Sequence, residues 1–179
     1  RTLDICRGFP KVHHIVRSTR SYFHEGMDRN ILLAMLRNLE PEWLLLPDID
    51  EVFEPRFKRE LGAMMDMKDV SLWLFLFCHF WRGSTHYRVD GKWGRETKNF
   101  PIPRLVRNQP GLHYPVNQAL GSAHVRGVVG KALISKIRVK HFGHEFEPVS
   151  RKKFELYSQL DPKGDYRHMI DEQGLQLEE

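Results

Sequence analysis

Glu42-Trp43-Leu44-Leu45-Leu46-Pro47-Asp48-Ile49-Asp50-Glu51 is the stretch that decides how this chain is read. Trp43 to Leu46 is a continuous apolar run, the pattern of a strand buried on both faces. It leads through a proline into the carboxylates Asp48, Asp50 and Glu51. Acids are thereby placed at the carboxyl end of a buried strand, the edge at which open α/β sheets bind ligands. In an extended chain Asp48 and Asp50 project to one side and Ile49 to the other. Neighbouring carboxylates repel unless a cation lies between them. Oxygen donors of this kind suit Mg²⁺ or Mn²⁺, which commonly bridge to substrate phosphates. The segment therefore reads as a divalent-metal site for a phosphorylated ligand. A plainer alternative is a turn that caps the helix beginning near Pro55.

Periodicity extends outward from this segment. On its N-terminal side, Ile31, Leu32, Met35, Leu36 and Leu39 recur at helical spacing. Asp28 is the expected N-cap and Glu40-Pro41 the stop. On its C-terminal side Pro55 suits the start of a second helix, with Phe57, Leu61, Met64 and Met65 as its apolar face. Val70 to Phe80 reads as a long apolar strand. Thr2 to Ile5 suggests a short helix ended by Phe9-Pro10, and Lys11 to Val16 a strand. Beyond residue 81, Arg82 to Pro103 is polar strand-and-loop surface, and Arg104 to Arg107 and the region of His113-Tyr114 are short strands. Gly121 to Gly130 reads as a loop, Ile134 to His141 as a half-buried strand and Pro148 to Leu160 as a third helix. The early strand-helix alternation argues for an α/β sheet with helices packed on it. One domain is expected over residues 1–160, followed by a polar C-terminal tail, 161–179, that frays.

The acidic segment resembles the "DW-apolar-apolar-DADE" segment of family 2 glycosyltransferases of the GT-A fold. Three further elements follow the order of that family. Arg1-Thr2-Leu3-Asp4-Ile5 resembles the end of its "DGSTDRTLEI" segment, Arg29-Asn30 its "RN", and Val139-Lys140-His141-Phe142-Gly143 its late "H-aromatic-G" element. The resemblance implies a GT-A-like mixed sheet flanked by helices, N-terminally incomplete. The first strand and its aspartate-bearing loop, which hold nucleobase and ribose, are then expected upstream of Arg1. It implies metal-dependent transfer of a sugar, as in a hexosyltransferase, from a nucleotide-sugar donor to a glycan, lipid-linked or protein acceptor, with inversion at the anomeric carbon. Asp48 and Asp50 match the DXD motif, so they and His141 become the expected holders of Mn²⁺ or Mg²⁺. Arg29, Asp48, Asp50 and Glu51 become the expected surroundings of the donor diphosphate. Where relatives often carry a His-Glu pair this chain has Asn117-Gln118, which leaves Asp90 and Glu96 as the general-base candidates.

The composition sets bounds on these readings. The chain has 179 residues, 41% apolar and 28% charged, which fits a folded domain and not a disordered one. A net charge of +5 favours anionic partners without choosing among them. Its longest apolar run, Val70 to Trp81, falls short of the roughly 20 residues that span a bilayer. Two cysteines make no disulfide framework, so a reducing, cytoplasmic setting is expected, with peripheral attachment to a membrane compatible with the basic charge. Ten histidines without an HExxH pattern argue against zinc. Trp81, Tyr87 and Trp93 alternate with arginines and lysines and are the expected acceptor surface, since aromatic faces stack on sugar rings. The same pattern could stack on bases, although no clear nucleic-acid partner emerges. The basic run Arg151-Lys152-Lys153 reads as a solvated face or as a contact for diphosphate. Two other functions stay open: a non-catalytic module binding glycan or nucleic acid, and a metal-dependent phosphoryl enzyme.

Overall fold

The computed structural model describes residues 2–12, 14–17, 24–90, 101–116, 120 and 124–178. In chain order these form α1 (Thr2–Arg7), α2 (Glu25–Arg37), β1 (Trp43–Leu45), β2 (Glu51–Phe53), α3 (Arg56–Asp66), β3 (Val70–Trp81), β4 (Tyr87–Arg88), β5 (Ile102–Arg107), β6 (Lys131–His144), α4 (Glu147–Leu160), a 3₁₀ turn (Arg167–Met169) and β7 (Leu177–Glu178). The fold is a mixed sheet flanked by helices.

Strand β3 is the centre of that sheet. Its twelve residues are almost all apolar, and it pairs antiparallel with β5 on one side and parallel with β6 on the other. β1 lies outside β5, and β2 outside β6, both antiparallel. Because β1 and β3 each run against β5, they are parallel to one another, as the strand-helix-strand pattern requires.

Alternation along the strands sends side chains to two cores. Trp73, Phe75 and Phe77 of β3 join Leu105, Ile137 and Val139 beneath Phe57 and Met64 of α3. Leu44, Val106 and the partly buried Leu72 pack instead with Leu33 of α2, Leu112, Tyr114 and Val125. Phe75 is fully buried, with the rings of Phe53 and Phe57 presented to it edge-on at 5.1 and 5.8 Å.

Several expectations are corrected. Helix α2 begins before Asp28, at Glu25, and its cap is His24, whose Nδ1 accepts from the Met27 amide at 3.4 Å. Asp28 instead lies in the first turn, where a negative charge complements the helix dipole. Among the described residues, Lys11 to Val16 pairs with no strand; Val12, Ile15 and Val16 stay exposed, so there is no burial to hold them extended. The C-terminal tail does not fray. β7 pairs antiparallel with β4, Met169 is buried, and Arg88 donates to the Asp171 carbonyl at 2.9 Å. Glu172 accepts from Arg82 at 2.7 Å, so the acidic tail neutralises arginines next to the end of β3.

Phe75→Ala should lower the unfolding free energy by about 3–5 kcal/mol, because a buried aromatic is removed from a core braced on both sides. Urea denaturation measures it, and a loss below about 1 kcal/mol would contradict the packing described.

Candidate functional site

The acidic segment is a tight turn between β1 and β2. The Glu51 amide donates to the Asp48 carbonyl at 3.2 Å, and the Asp48 amide to Glu51 Oε2 at 3.1 Å. Ile49 stands 90% exposed at its tip. Because the chain turns here instead of extending, Asp48 and Asp50 have separate partners.

Asp48 and Glu51 face arginines. Arg104, on β5 and 3% exposed, gives Nε to Glu51 Oε2 at 2.7 Å, a second bond from Nη2 to Glu51 Oε1, and Nη2 to Asp48 Oδ2 at 3.0 Å. The other Asp48 oxygen accepts from Arg29 Nη2 at 2.6 Å. Burial works against the Arg29 cation, but Asp48 and then Glu25 outweigh it and raise its pKa. Burial lifts the Glu51 carboxyl, with Arg104 pulling the other way. Glu51, the expected donor-side carboxylate, is thus the anchor of a buried guanidinium.

Asp50 faces histidine and lysine. Its Oδ2 lies 3.6 Å from His141 Nε2 and 3.3 Å from Lys153 Nζ. Its carbonyl accepts from the Phe142 amide at 2.8 Å, which ties the turn to β6. Burial raises the Asp50 carboxyl, but His141 and Lys153 prevail and hold it below the usual range. Gly143 leaves the space in which these groups meet: a Cβ there would come within 2.5 Å of His141 Cε1 and 2.9 Å of Asp50 Oδ2.

His141 has a partner behind it. His79 lies opposite it in the parallel β3–β6 register, and the two Nδ1 atoms are 2.8 Å apart. His79 is 6% exposed. Burial pushes both histidines below the usual imidazole range, with Asp50 opposing the shift at His141.

These groups border a cleft of about 410 Å³ between α2, the acidic turn and α4, lined by Arg29, Asp48, Asp50, His141, Lys153 and Tyr157 among others. A second cleft of about 410 Å³, mostly apolar, adjoins it at Arg29, Leu32 and Pro47.

Among the described residues, no group of three or more histidine, cysteine or acidic side chains is placed to hold a metal ion. The donors that converge are two, Asp50 and His141, beside the space kept by Gly143. Two side chains are too few to make a metal site by themselves, and the Asp50 oxygen that faces His141 also faces the Lys153 ammonium at 3.3 Å. Asp48 does not join them, because both its oxygens are taken by arginines.

The other expected site residues fall elsewhere. Trp81 is 1% exposed, stacked on His144 at 5.3 Å, with Arg88 over its ring at 4.4 Å; it is a core residue and presents no acceptor surface. Tyr87 is half-buried and donates its hydroxyl to Glu178 at 2.9 Å. Asp90 accepts two bonds from Arg88, at 2.8 and 2.9 Å, and one from the Gln176 amide at 3.2 Å. Burial raises the Asp90 carboxyl, yet Arg88 and the Gln176 amide outweigh it and hold it low, which is unlike a general base. Trp93 and Glu96 lie outside the described residues. Arg104, Gly143 and His79 went unassigned to the site, whereas Lys153 belongs to the basic run offered as a diphosphate contact; the signal for His79 was a titratable ring inside an apolar strand, which demands a buried partner.

Neither a scan of protein-family models nor a search of the curated proteins returns a match for this chain. No helix among the described residues is long and apolar enough to cross a membrane.

Glu51→Ala should destabilise the protein by up to about 3–5 kcal/mol, since it removes two of the three carboxylate bonds of the buried Arg104 cation and leaves only Asp48. Thermal or urea unfolding checks this, and a neutral effect would mean that Arg104 reaches water. The histidines predict a pH dependence. Unfolded histidines take up protons near pH 6.5, whereas folded His79 and His141 resist until lower pH. Their contribution to stability is therefore complete above that pH and is lost as pH falls below it. The unfolding free energy should decline by up to about 1.4 kcal/mol per pH unit for each ring. His79→Gln should flatten the decline, and a slope unchanged by that variant would contradict the assignment.

Proposed function

We propose that this chain is a GT-A-like glycosyltransferase domain that binds the diphosphate of a nucleotide sugar in the cleft between α2, the acidic turn and α4. The observation that carries the reading is the convergence of Asp50 and His141 on one cleft that Arg29 and Lys153 also line. Asp50 and His141 are the residues that would hold Mn²⁺ or Mg²⁺. A divalent cation there supplies Lewis-acid neutralisation of the charge that grows on a departing diphosphate.

The chain's own residues do the rest. Lys153, 3.3 Å from Asp50, brings a mobile ammonium to the same wall, where it stabilises phosphate oxygens. Arg29 and Arg104 clamp Asp48 and Glu51, so the turn that presents Asp50 is rigid before any ligand arrives. The apolar cleft beyond Leu32 and Pro47 offers the adjoining surface for the less polar parts of a donor. Transfer itself requires an acceptor hydroxyl to attack the anomeric carbon while a base removes its proton. Both oxygens of Asp90, one of the two expected bases, accept from Arg88.

A second reading, a binding module without transfer activity, draws on the engagement of Asp48 and Asp90 by arginines. The two readings part on turnover of nucleotide sugar.

Calorimetry with Mn²⁺ and a panel of nucleoside diphosphates tests the proposal. Binding should require the metal, and should weaken at least about ten-fold in Asp50→Ala, the loss expected when one ligand of a sparse cation site goes. Gly143→Ala should weaken it similarly with the fold retained, because the added methyl occupies the space between His141 and Asp50. Metal-independent binding, or binding indifferent to Asp50→Ala, would overturn the proposal.

A further inference from the structure

Strand β6 carries a different chemistry on each of its sides. From Ile134 to Lys140 its residues alternate without a break: Ser135, Ile137 and Val139 are buried, and Ile134, Lys136, Arg138 and Lys140 are exposed. Alternation therefore gathers one aliphatic and three cationic side chains on a single outer face. β2 extends that face. Val52 lies opposite Lys140 in the antiparallel register, so the two project to the same side. Ile134 is 58% exposed and Val52 52%. Neighbouring cations along the strand stand about 7 Å apart, closer than the screening length of ordinary salt, so they act on an anionic surface together.

The face also holds a recess of about 180 Å³, lined by Arg138, Lys140, Ser84, Thr85, Tyr87 and Cys78 among others. The carboxylate beside it, Glu54, is engaged by Arg138 Nε at 2.5 Å and by Arg56 Nε at 2.6 Å. Lys140 rests its ammonium 5.4 Å from the centre of the Phe80 ring, and among the described residues neither it nor Lys136 meets a carboxylate. The recess thus offers an ammonium, a guanidinium and two hydroxyls to an anion the size of a phosphate group. The apolar part of the face distinguishes between kinds of polyanion. Single-stranded nucleic acid is held by open aromatic faces on which bases stack. Here Phe80 is 5% exposed, and the Tyr87 hydroxyl is bound to Glu178. Ile134 and Val52 instead offer aliphatic surface, which gains from the hydrocarbon boundary of a bilayer while the lysine stems let their ammonium groups reach the headgroups.

We propose that the outer face of β6 and β2 seats this protein on an anionic phospholipid bilayer, with Lys136, Arg138 and Lys140 among the headgroups, a headgroup phosphate in the recess, and Ile134 and Val52 at the acyl boundary. This goes beyond the diphosphate-site reading and stands without it. The net charge of +5 has the sign that such a surface attracts. His141, the next residue after Lys140, points to the other side of the strand, into the wall of the cleft. Docking through the outer face therefore leaves the cleft open to solvent. Each basic side chain near an anionic leaflet is worth about five-fold in binding. Three of them with two half-exposed aliphatics make a peripheral, reversible attachment that salt weakens.

Flotation of the full chain with vesicles tests this. One set is phosphatidylcholine alone, the other an equal mixture of phosphatidylcholine and phosphatidylserine. Wild type should float with the mixed vesicles, stay unbound with the neutral ones, and bind less as salt is raised. Lys136→Gln/Lys140→Gln should lower binding about 25-fold, two charges at about five-fold each. Ile134→Ser should lower it several-fold at every salt concentration, because the apolar contact is not screened. Arg151→Gln/Lys152→Gln, which removes equal charge from exposed positions on α4, should float like wild type. The substituted side chains are all exposed, and circular dichroism with an unfolding midpoint verifies that each variant folds. Wild type that ignores the mixed vesicles overturns the proposal. So does an equal loss in the two charge-pair variants, which makes the attraction a property of net charge alone. Vesicle binding that Ile134→Ser leaves intact and a single-stranded oligonucleotide abolishes assigns the face to nucleic acid. Flotation abolished by inorganic phosphate, but not by chloride at the same ionic strength, reduces the site to a pocket for free phosphate. Either of these outcomes also overturns the proposal.

Discussion

Arg104 is a cation with almost no water around it, and that constraint organises the site. It lies on β5 at 3% exposure, with its guanidinium 5.4 Å above the ring of Phe77. Burying such a charge is tolerable only when carboxylates satisfy it. Glu51 supplies both oxygens and Asp48 a third bond, so the turn between β1 and β2 is pinned to the strand beside it. Arg29 reaches the same turn from α2 and closes the arrangement from the opposite side. Everything proposed for the cleft follows from the stiffness of this turn, because it fixes where Asp50 stands.

The two aspartates therefore divide their work. Asp48 belongs to the clamp, and Asp50, with His141 and Lys153, belongs to the cleft. A motif read as two equivalent carboxylates becomes one structural acid and one available acid. Gly143 explains why the residue after His141-Phe142 carries no side chain: a methyl group there would sit where the histidine and Asp50 approach each other. The parallel pairing of β3 with β6 completes the wall by bringing His79 behind His141.

The sequence was most legible where one physical signal dominated. Val70 to Phe80 reads as a strand, and β3 covers it and runs one residue further, to Trp81, because only a central position can bury so many large side chains. β6 is longer than the expected Ile134 to His141, because β3 carries the pairing on at both ends: Val70, Leu72 and Trp73 hold Lys131, Ala132 and Leu133, and Trp81 holds His144. Other features depended on contacts distant in sequence. Trp81 stands where the apolar run gives way to a polar segment, and the C-terminal tail folds back and brings Glu172 against it. Lys11 to Val16 has the composition of a strand, but a strand needs a partner, and composition does not supply one. The roles of Asp48 and Asp50 diverged for the same reason: alternation along an extended chain loses its meaning at a turn.

The central claim is that Asp50 and His141 grip a divalent cation at the mouth of the cleft. Anomalous diffraction from a crystal grown with Mn²⁺ and a nucleoside diphosphate tests it most directly. The account predicts a manganese peak within bonding distance of an Asp50 oxygen and of His141 Nε2, with phosphate oxygens completing the shell. A manganese peak elsewhere, or diphosphate in the cleft with no metal beside these two side chains, would contradict it.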